Sequence, residues 1–267
     1  MKSDLTMAFL VPVYGNSKQE IKNFLYDVSE QTFREFEIFF VFEKSSFNFD
    51  FEQFVKLNVP EEIKKNKICY IAMENNLGIG FALHYGVQEI KTDIVIRADI
   101  GDRLRKDRLA RIYEAFKNNS IDLVYSQAFL KTPRSKNVSS YARNLAELKK
   151  SFIFRNAICQ PTVAFNRNTV CSVGSYDKKL RYCEDLDLWL RLMKSNANFY
   201  LIDAPLVEYN VPANARRHEN WYYNFKVRMK NIGSPNLIYS MIGITIVGAY
   251  FLLPKNIKEK IYAFAKK

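Results

Sequence analysis

Five short apolar runs, at residues 8–14, 36–42, 68–72, 94–96 and 121–126, alternate with turns and amphipathic stretches through the first half of the chain. Runs this short and this rich in β-branched and aromatic residues need cover on both faces, which parallel strands flanked by helices provide. The stretches between them carry helical spacing. Ile21, Phe24, Leu25 and Val28 share one face of the first, with Ser17 and Glu20 placed as a capping box ahead of it. Leu109, Ile112, Tyr113 and Phe116 share a face of the fourth. The order βαβαβαβαβ predicts an α/β fold, a Rossmann-like doubly wound and mainly parallel sheet, with ligands bound at the carboxyl ends of its strands.

Those ends carry polar residues. The fourth run surfaces in Arg97-Ala98-Asp99-Ile100-Gly101-Asp102. Carboxylates directly after a buried strand need water, a cation or hydrogen-bond donors. Asp99 and Asp102 are therefore candidates for a metal or sugar-nucleotide site, against the plainer reading of an Asp-Gly turn that caps the helix from about residue 106. Pro12 ends the first run and Glu43 follows the second. Glu74 to Gly80 turns into a helix predicted over 81–90, where Gly78 and Gly80 let backbone amides approach a phosphate.

The period breaks after Ser126. Residues 131–150 are polar and basic and read as a mobile loop over the sheet edge, and 155–165 reads as an apolar strand. A helix opens near Cys183 with Glu184, Asp185 and Asp187 in its first turn. The helix dipole favours acids there, and a carboxylate beside a cleft also suits a general base. Two closing strands are expected at 199–202 and 206–209, which bounds one domain at 1–210 and leaves 211–267 as a helical segment.

That segment is charged unlike the rest. The chain carries +12, and from Arg216 onward ten Lys/Arg face two acids, a net of +8. Such a segment meets an anion, either nucleic acid or phospholipid. The cations do not interleave with aromatics as in single-strand or RNA readers, which argues against nucleic acid. Residues 237–253 hold no charge, at the short limit for a spanning helix, and predict a core helix or one lying in a membrane interface. Lysines with Ile257, Ile261, Tyr262 and Phe264 then form a basic amphipathic pattern. An ordinary packed helix pair with a solvated basic face is the alternative. Four cysteines without ligand spacing and two histidines argue against structural zinc, and an apolar run near the start that is too short for a signal-peptide core and broken by Pro12 predicts a cytoplasmic protein with reduced thiols.

Taken in order, Val11-Pro12-Val13-Tyr14, Glu30-Gln31-Thr32-Phe33, Asn76-Leu77-Gly78, Arg97 to Asp102 with Asp107-Arg108-Leu109, Gln160-Pro161-Thr162 and Glu184-Asp185-Leu186-Asp187-Leu188-Trp189-Leu190-Arg191 resemble glycosyltransferase family 2. The resemblance spans roughly residues 7 to 210 and leans towards the branch that builds bacterial O-antigen and exopolysaccharide. It implies a GT-A fold with a C-terminal helical appendage and transfer of a sugar from a UDP-sugar, with inversion, to a lipid-linked or oligosaccharide acceptor. It also implies peripheral association with the cytoplasmic face of the inner membrane. In its terms Asp185 is the base, with Glu184 beside it. Pro12, Val13, Tyr14 and Glu43 grip the nucleotide, and Asn76, Gly78, Arg97, Asp99, Arg216 and Arg217 complete the donor site. Mn²⁺ or Mg²⁺ belongs at Asp99. The sequence departs from the pattern at Gly101, where the second metal-motif Asp is missing. Asp102 replaces it, or Arg97, Arg103 or the Arg216/Arg217 pair neutralises the diphosphate instead, with His218 a further candidate ligand. Gly101 also leaves open a catalytically impaired sugar-nucleotide-binding partner of another transferase.

Overall fold

A computed structural model describes residues 5–133, 135–211 and 218–254, apart from the side chains of Phe154, His218, Glu219 and Phe251. In chain order β1 (Met7–Val13), α1 (Lys18–Ser29), β2 (Glu37–Glu43), α2 (Phe51–Asn58), β3 (Ile68–Met73), α3 (Ile79–Glu89) and β4 (Ile94–Arg97) come first. They are followed by β5 (Arg103–Leu104), α4 (Arg108–Asn118), β6 (Leu123–Thr132), β7 (Ser135–Val138) and α5 (Leu145–Phe154). The chain continues through β8 (Ala164–Asn166), α6 (Arg167–Ser172), α7 (Glu184–Lys194), β9 (Phe199–Asn210), α8 (His218–Lys230) and α9 (Leu237–Leu252).

The sheet order is β3-β2-β1-β4-β8-β6-β9-β5, with β7 paired to β6. The first four of these run parallel, so β1, β2, β3 and β4 all end at one edge. The strand pattern alternates faces. Phe9 and Val11 join Phe24, Phe40 and Ile96 in one core, whereas Ala8 and Leu10 join Val41, Leu83, Val95 and Trp189 in the other. The capping box ahead of α1 is present: Glu20 N–H donates to Ser17 Oγ at 3.2 Å, and Ser17 N–H donates to Glu20 Oε2 at 2.8 Å.

Past Ser126 the structure corrects the sequence reading. β6 does not pair with β4, because β8 lies between them and runs antiparallel to both. Of the expected 155–165 strand only 164 and 165 pair, as the start of β8, because Pro161 offers no N–H and 160–162 turns as a 3₁₀ helix, closed by Val163 N–H to Gln160 O at 3.1 Å. Residues 131–150 are no bare loop. β6 runs on and folds back as β7, whose four residues are all exposed, and α5 follows with Leu148 and Phe152 buried. An exposed ribbon carries no apolar alternation to read. The two closing strands are one, β9, irregular in its register against β6 near Ser126 to Ala128.

α9 packs on α5 and α8, and α8 packs on α7. Ser240, Gly243 and Val247 face inward, and a Cβ on Gly243 would come within 2.8 Å of Arg228 Nη1 and 3.0 Å of Ile153 O. The expected basic pattern at 257–264 lies outside the described residues.

Candidate active site

A cleft of about 450 Å³ opens at the carboxyl ends of the four parallel strands. Pro12, Val13 and Tyr14 line it from β1, Glu43 from β2, Asn76 and Gly78 from the loop after β3, and Asp99 and Ile100 from the turn after β4. Seven of the expected nucleotide-sugar residues are thus brought together. Tyr14 is 63% exposed, an aromatic face open to a planar base. Glu43 is buried, with Oε1 accepting from Ser45 Oγ at 2.5 Å and Oε2 unpartnered. Asn76 Oδ1 accepts from Gly78 N–H at 3.0 Å, and Gly78 adopts φ +93, a turn that glycine makes without strain. Arg181 and Tyr182 close the opposite wall. Neither was picked out by sequence reasoning, although Arg181 stands three residues before the acid pair.

Arg97 does not line the cleft. It is fully buried, donating to Leu10 O at 2.7 Å, Ala98 O at 3.0 Å and Asp99 Oδ1 at 2.6 Å. Its place after three β-branched strand residues explains this: the side chain stays beneath the sheet end and aims Asp99 from below. Arg108, also fully buried, donates to Arg97 O at 2.7 Å and Pro161 O at 2.8 Å, tying the Asp99 turn to the 160–162 turn. Arg103 is turned away from the cleft, held by two bonds of 2.7 and 2.6 Å to Asp27. Gln31 is structural as well, bridging Asp27 O, Arg105 O and Leu109 N–H.

Asp102 is 5% exposed; its Oδ1 accepts from Asn210 N–H at 2.9 Å, and its Oδ2 has no partner. Burial, then the neighbouring Asp99, pushes its carboxyl up to about 7. Among the described residues no three His, Cys, Asp or Glu gather as a metal cage. An orphaned buried carboxylate oxygen beside a second carboxylate still fits a divalent ion whose remaining ligands come from a diphosphate. Arg216 and Arg217 lie outside the described residues, as does the side chain of His218.

The acid pair opens α7. Cys183, just before it, adopts a left-handed φ of +59, unusual for a residue with a side chain. Glu184 is buried against Gly80, where an added Cβ would lie 3.4 Å from Glu184 Cβ. Burial, reinforced by Asp185, raises the Glu184 carboxyl well above the carboxylate range. Asp185 is only partly buried. Leu186 N–H donates to its Oδ1 at 2.7 Å and Asn156 Nδ2 to its Oδ2 at 2.5 Å, and burial raises its pKa. Asp187 serves the fold: it is fully buried and bonded by Arg191, Asn231 and Lys230. Asp187 is therefore structural, while Glu184 and Asp185 open α7 just past Arg181 and Tyr182 without lining the strand-end cleft themselves.

Residues 8–178 match the family model described as Glycosyl transferase family 2. A UDP-Gal:alpha-D-GlcNAc-diphosphoundecaprenol beta-1,3-galactosyltransferase of Escherichia coli is 30% identical over 139 residues, which cover 51% of this chain and 50% of that protein. The fold matches S. aureus TarS in complex with UDP at a TM-score of 0.70 and 16% identity, over 96% of this chain and 78% of TarS residues 1–349. It also matches the mannosyltransferase PcManGT of Pyrobaculum calidifontis, solved with GDP-Man and Mn²⁺, at 0.65 and 15% identity, over 100% of this chain and 82% of that one.

Proposed function

Because the chain belongs to glycosyltransferase family 2 and is a glycosyltransferase, we propose that it moves a hexose or N-acetylhexosamine from a UDP-sugar, with inversion, to a polyprenyl-diphosphate-linked acceptor of a bacterial surface glycan. The observation that carries this reading is the strand-end cleft, in which a base-sized aromatic, an unpartnered acid and the Asp99 turn stand in a row. Tyr14 stacks on the uracil, and Glu43 Oε2 accepts from its imide N–H, a donor that would satisfy the orphaned oxygen. Arg181 brings a guanidinium to the diphosphate. The related E. coli enzyme, named for UDP-Gal and a diphosphoundecaprenol acceptor, supports both substrates.

The reaction is a single displacement. The acceptor oxygen forms a bond to the anomeric carbon as the bond to the diphosphate oxygen breaks, and UDP leaves with the electron pair. Asp185 Oδ2 takes the hydroxyl proton, a role suited to a carboxyl whose basicity is raised by burial. Asp99 and Asp102 would hold Mn²⁺ or Mg²⁺, which supplies charge neutralisation to the departing diphosphate.

The apolar outer stripe of α9 and the lysines after it keep the enzyme at the cytoplasmic surface of the inner membrane, where such an acceptor resides. Among the described residues no helix is long and apolar enough to cross a membrane. The test is a donor screen with UDP-Gal, UDP-Glc, UDP-GlcNAc and UDP-GalNAc against synthetic GlcNAc- and GalNAc-diphosphate-lipids, with and without Mn²⁺. One donor is expected to give transfer, and no product from any of the four would overturn the UDP-sugar assignment.

A further inference from the structure

We infer that Asn156 is both the positioning residue of the base and a binding residue for the acceptor sugar, contacting a hydroxyl next to the one that reacts. This rests on Asp185 being the base. Asn156 lies in the short link between α5 and the 160–162 turn, outside any regular element. Its Nδ2 donates to Asp185 Oδ2 at 2.5 Å, while Leu186 N–H fixes Oδ1 at 2.7 Å. The carboxylate is therefore held at both oxygens, with one lone pair of Oδ2 left for a proton.

The amide's orientation follows from its partner, since turning the carbonyl towards Asp185 would set two acceptors against each other. With Nδ2 committed, Oδ1 is buried and has no partner. A buried amide oxygen without a donor costs free energy unless a ligand supplies one. A sugar offering two neighbouring hydroxyls matches the arrangement: one gives its proton to Asp185 Oδ2, and the other donates to Asn156 Oδ1. A ligand with a single hydroxyl leaves the amide oxygen unsatisfied.

The same bond sets the base's strength. Asn156 stabilises the ionised form of Asp185, opposing the burial that raises its pKa. The other titratable groups around Asp185 are Glu184 and Cys183 on its own helix and flank, Arg97 from β4, Cys159 and Tyr176 from the turns, and Tyr209 from β9.

The experiment compares wild type, Asn156→Ala, Asn156→Ser and Asp185→Asn as full chains, using the UDP-sugar chosen by the donor screen and its diphosphate-lipid acceptor. UDP affinity by calorimetry reports on folding. Asn156→Ala is expected to keep UDP affinity, raise acceptor KM about tenfold for one lost hydrogen bond, and move the acid limb of the kcat/KM profile to higher pH. An acceptor deoxygenated beside the reacting hydroxyl should weaken wild type about tenfold and leave Asn156→Ala unaffected. Asn156→Ser, smaller but still polar, should recover part of the loss. An unchanged acceptor KM and acid limb in both Asn156 variants, with Asp185→Asn inactive, overturns the inference. An active Asp185→Asn overturns the base assignment instead.

Discussion

Gly101 shows how much one residue can conceal. Against the family pattern it reads as a missing Asp, yet the backbone there adopts φ +107, which L side chains rarely occupy. The turn is closed by Asp102 N–H to Asp99 O at 3.3 Å and tied to β9 through Asn210 Nδ2 and Gly101 O. The turn is thus shaped around a glycine, and a carboxylate follows one residue further on, at Asp102. The sequence made Asp99 and Asp185 legible because they follow an apolar run or open an amphipathic one. It could not reveal that Arg97 points inward, since a cation at a strand end normally reaches for water. Asn156 and Arg181 were equally hidden, lying in irregular segments where no periodicity marks a direction.

Asp102 makes a pH prediction. Its folded carboxyl titrates at about 7, against 3.8 when unperturbed, so between these values the folded chain keeps a proton that the unfolded chain has lost. The stability this confers is complete below the unfolded value and declines as pH rises through the folded one. Thermal unfolding without divalent ions should show Asp102→Asn losing less Tm than wild type between about pH 5 and pH 8. Mn²⁺, which competes with that proton, should raise wild-type Tm more at the higher pH. Parallel curves for the two proteins would remove Asp102 from the titration. Catalysis runs the other way. As the proposed base, Asp185 acts in its ionised form, so kcat/KM is expected to fall as pH drops through its raised pKa, and Asp185→Asn should lose roughly 10²–10⁴ of kcat while retaining UDP.

Among the elements, α3 bears most directly on the cleft. Its N-terminal turn follows Gly78, and its second residue, Gly80, lies so close to the 177–184 segment that a Cβ would sit 2.4 Å from Leu180 O and 2.6 Å from Asp177 O. Neither is a side chain that could swing aside. Gly80→Ala must push α3 away from the segment carrying Arg181 and Glu184. The expected result is a loss of about 1–3 kcal/mol in chemical denaturation together with weaker UDP binding. Gly86→Ala is the comparison: it meets Leu10 Cδ1 at 2.3 Å in the core and Val41 Cγ2 at 3.0 Å, so it presses on side chains, one of them lining the cleft, and not on the 177–184 backbone. It should lose stability and keep UDP affinity in the surviving fold, whereas equal damage to binding would show that the cleft is sensitive to any repacking of α3. Elements like α1, with its capping box and apolar face, were readable from spacing alone. β8 was not, since three residues paired antiparallel between two strands follow from where the chain returns rather than from local preference.

At the scale of the molecule, the parallel half-sheet supplies the cleft and the C-terminal helices supply a surface of another kind. α9 buries Ser240, Gly243 and Val247 on one side and exposes Ile238, Met241, Ile242 and Ile246 on the other, with Leu252 beyond them. Water tolerates scattered apolar side chains, but a stripe repeated at helical spacing and followed by Lys255, Lys258 and Lys260 suits an apolar slab with an anionic rim. A second copy of the chain would bring the same positive charge against its own, which repels at low salt. The stripe and the cations should therefore act together. Full-length protein is expected to co-sediment with phosphatidylglycerol-containing vesicles and to be released from them in part by salt. Ile238→Glu with Met241→Glu should abolish sedimentation while leaving UDP affinity and transfer to a short-chain, detergent-free acceptor unchanged. Transfer to the same acceptor embedded in vesicles should fall. Sedimentation that survives both substitutions would remove the α9 stripe from the lipid contact, and a concentration-dependent dimer that they dissolve would mean that α9 meets protein instead.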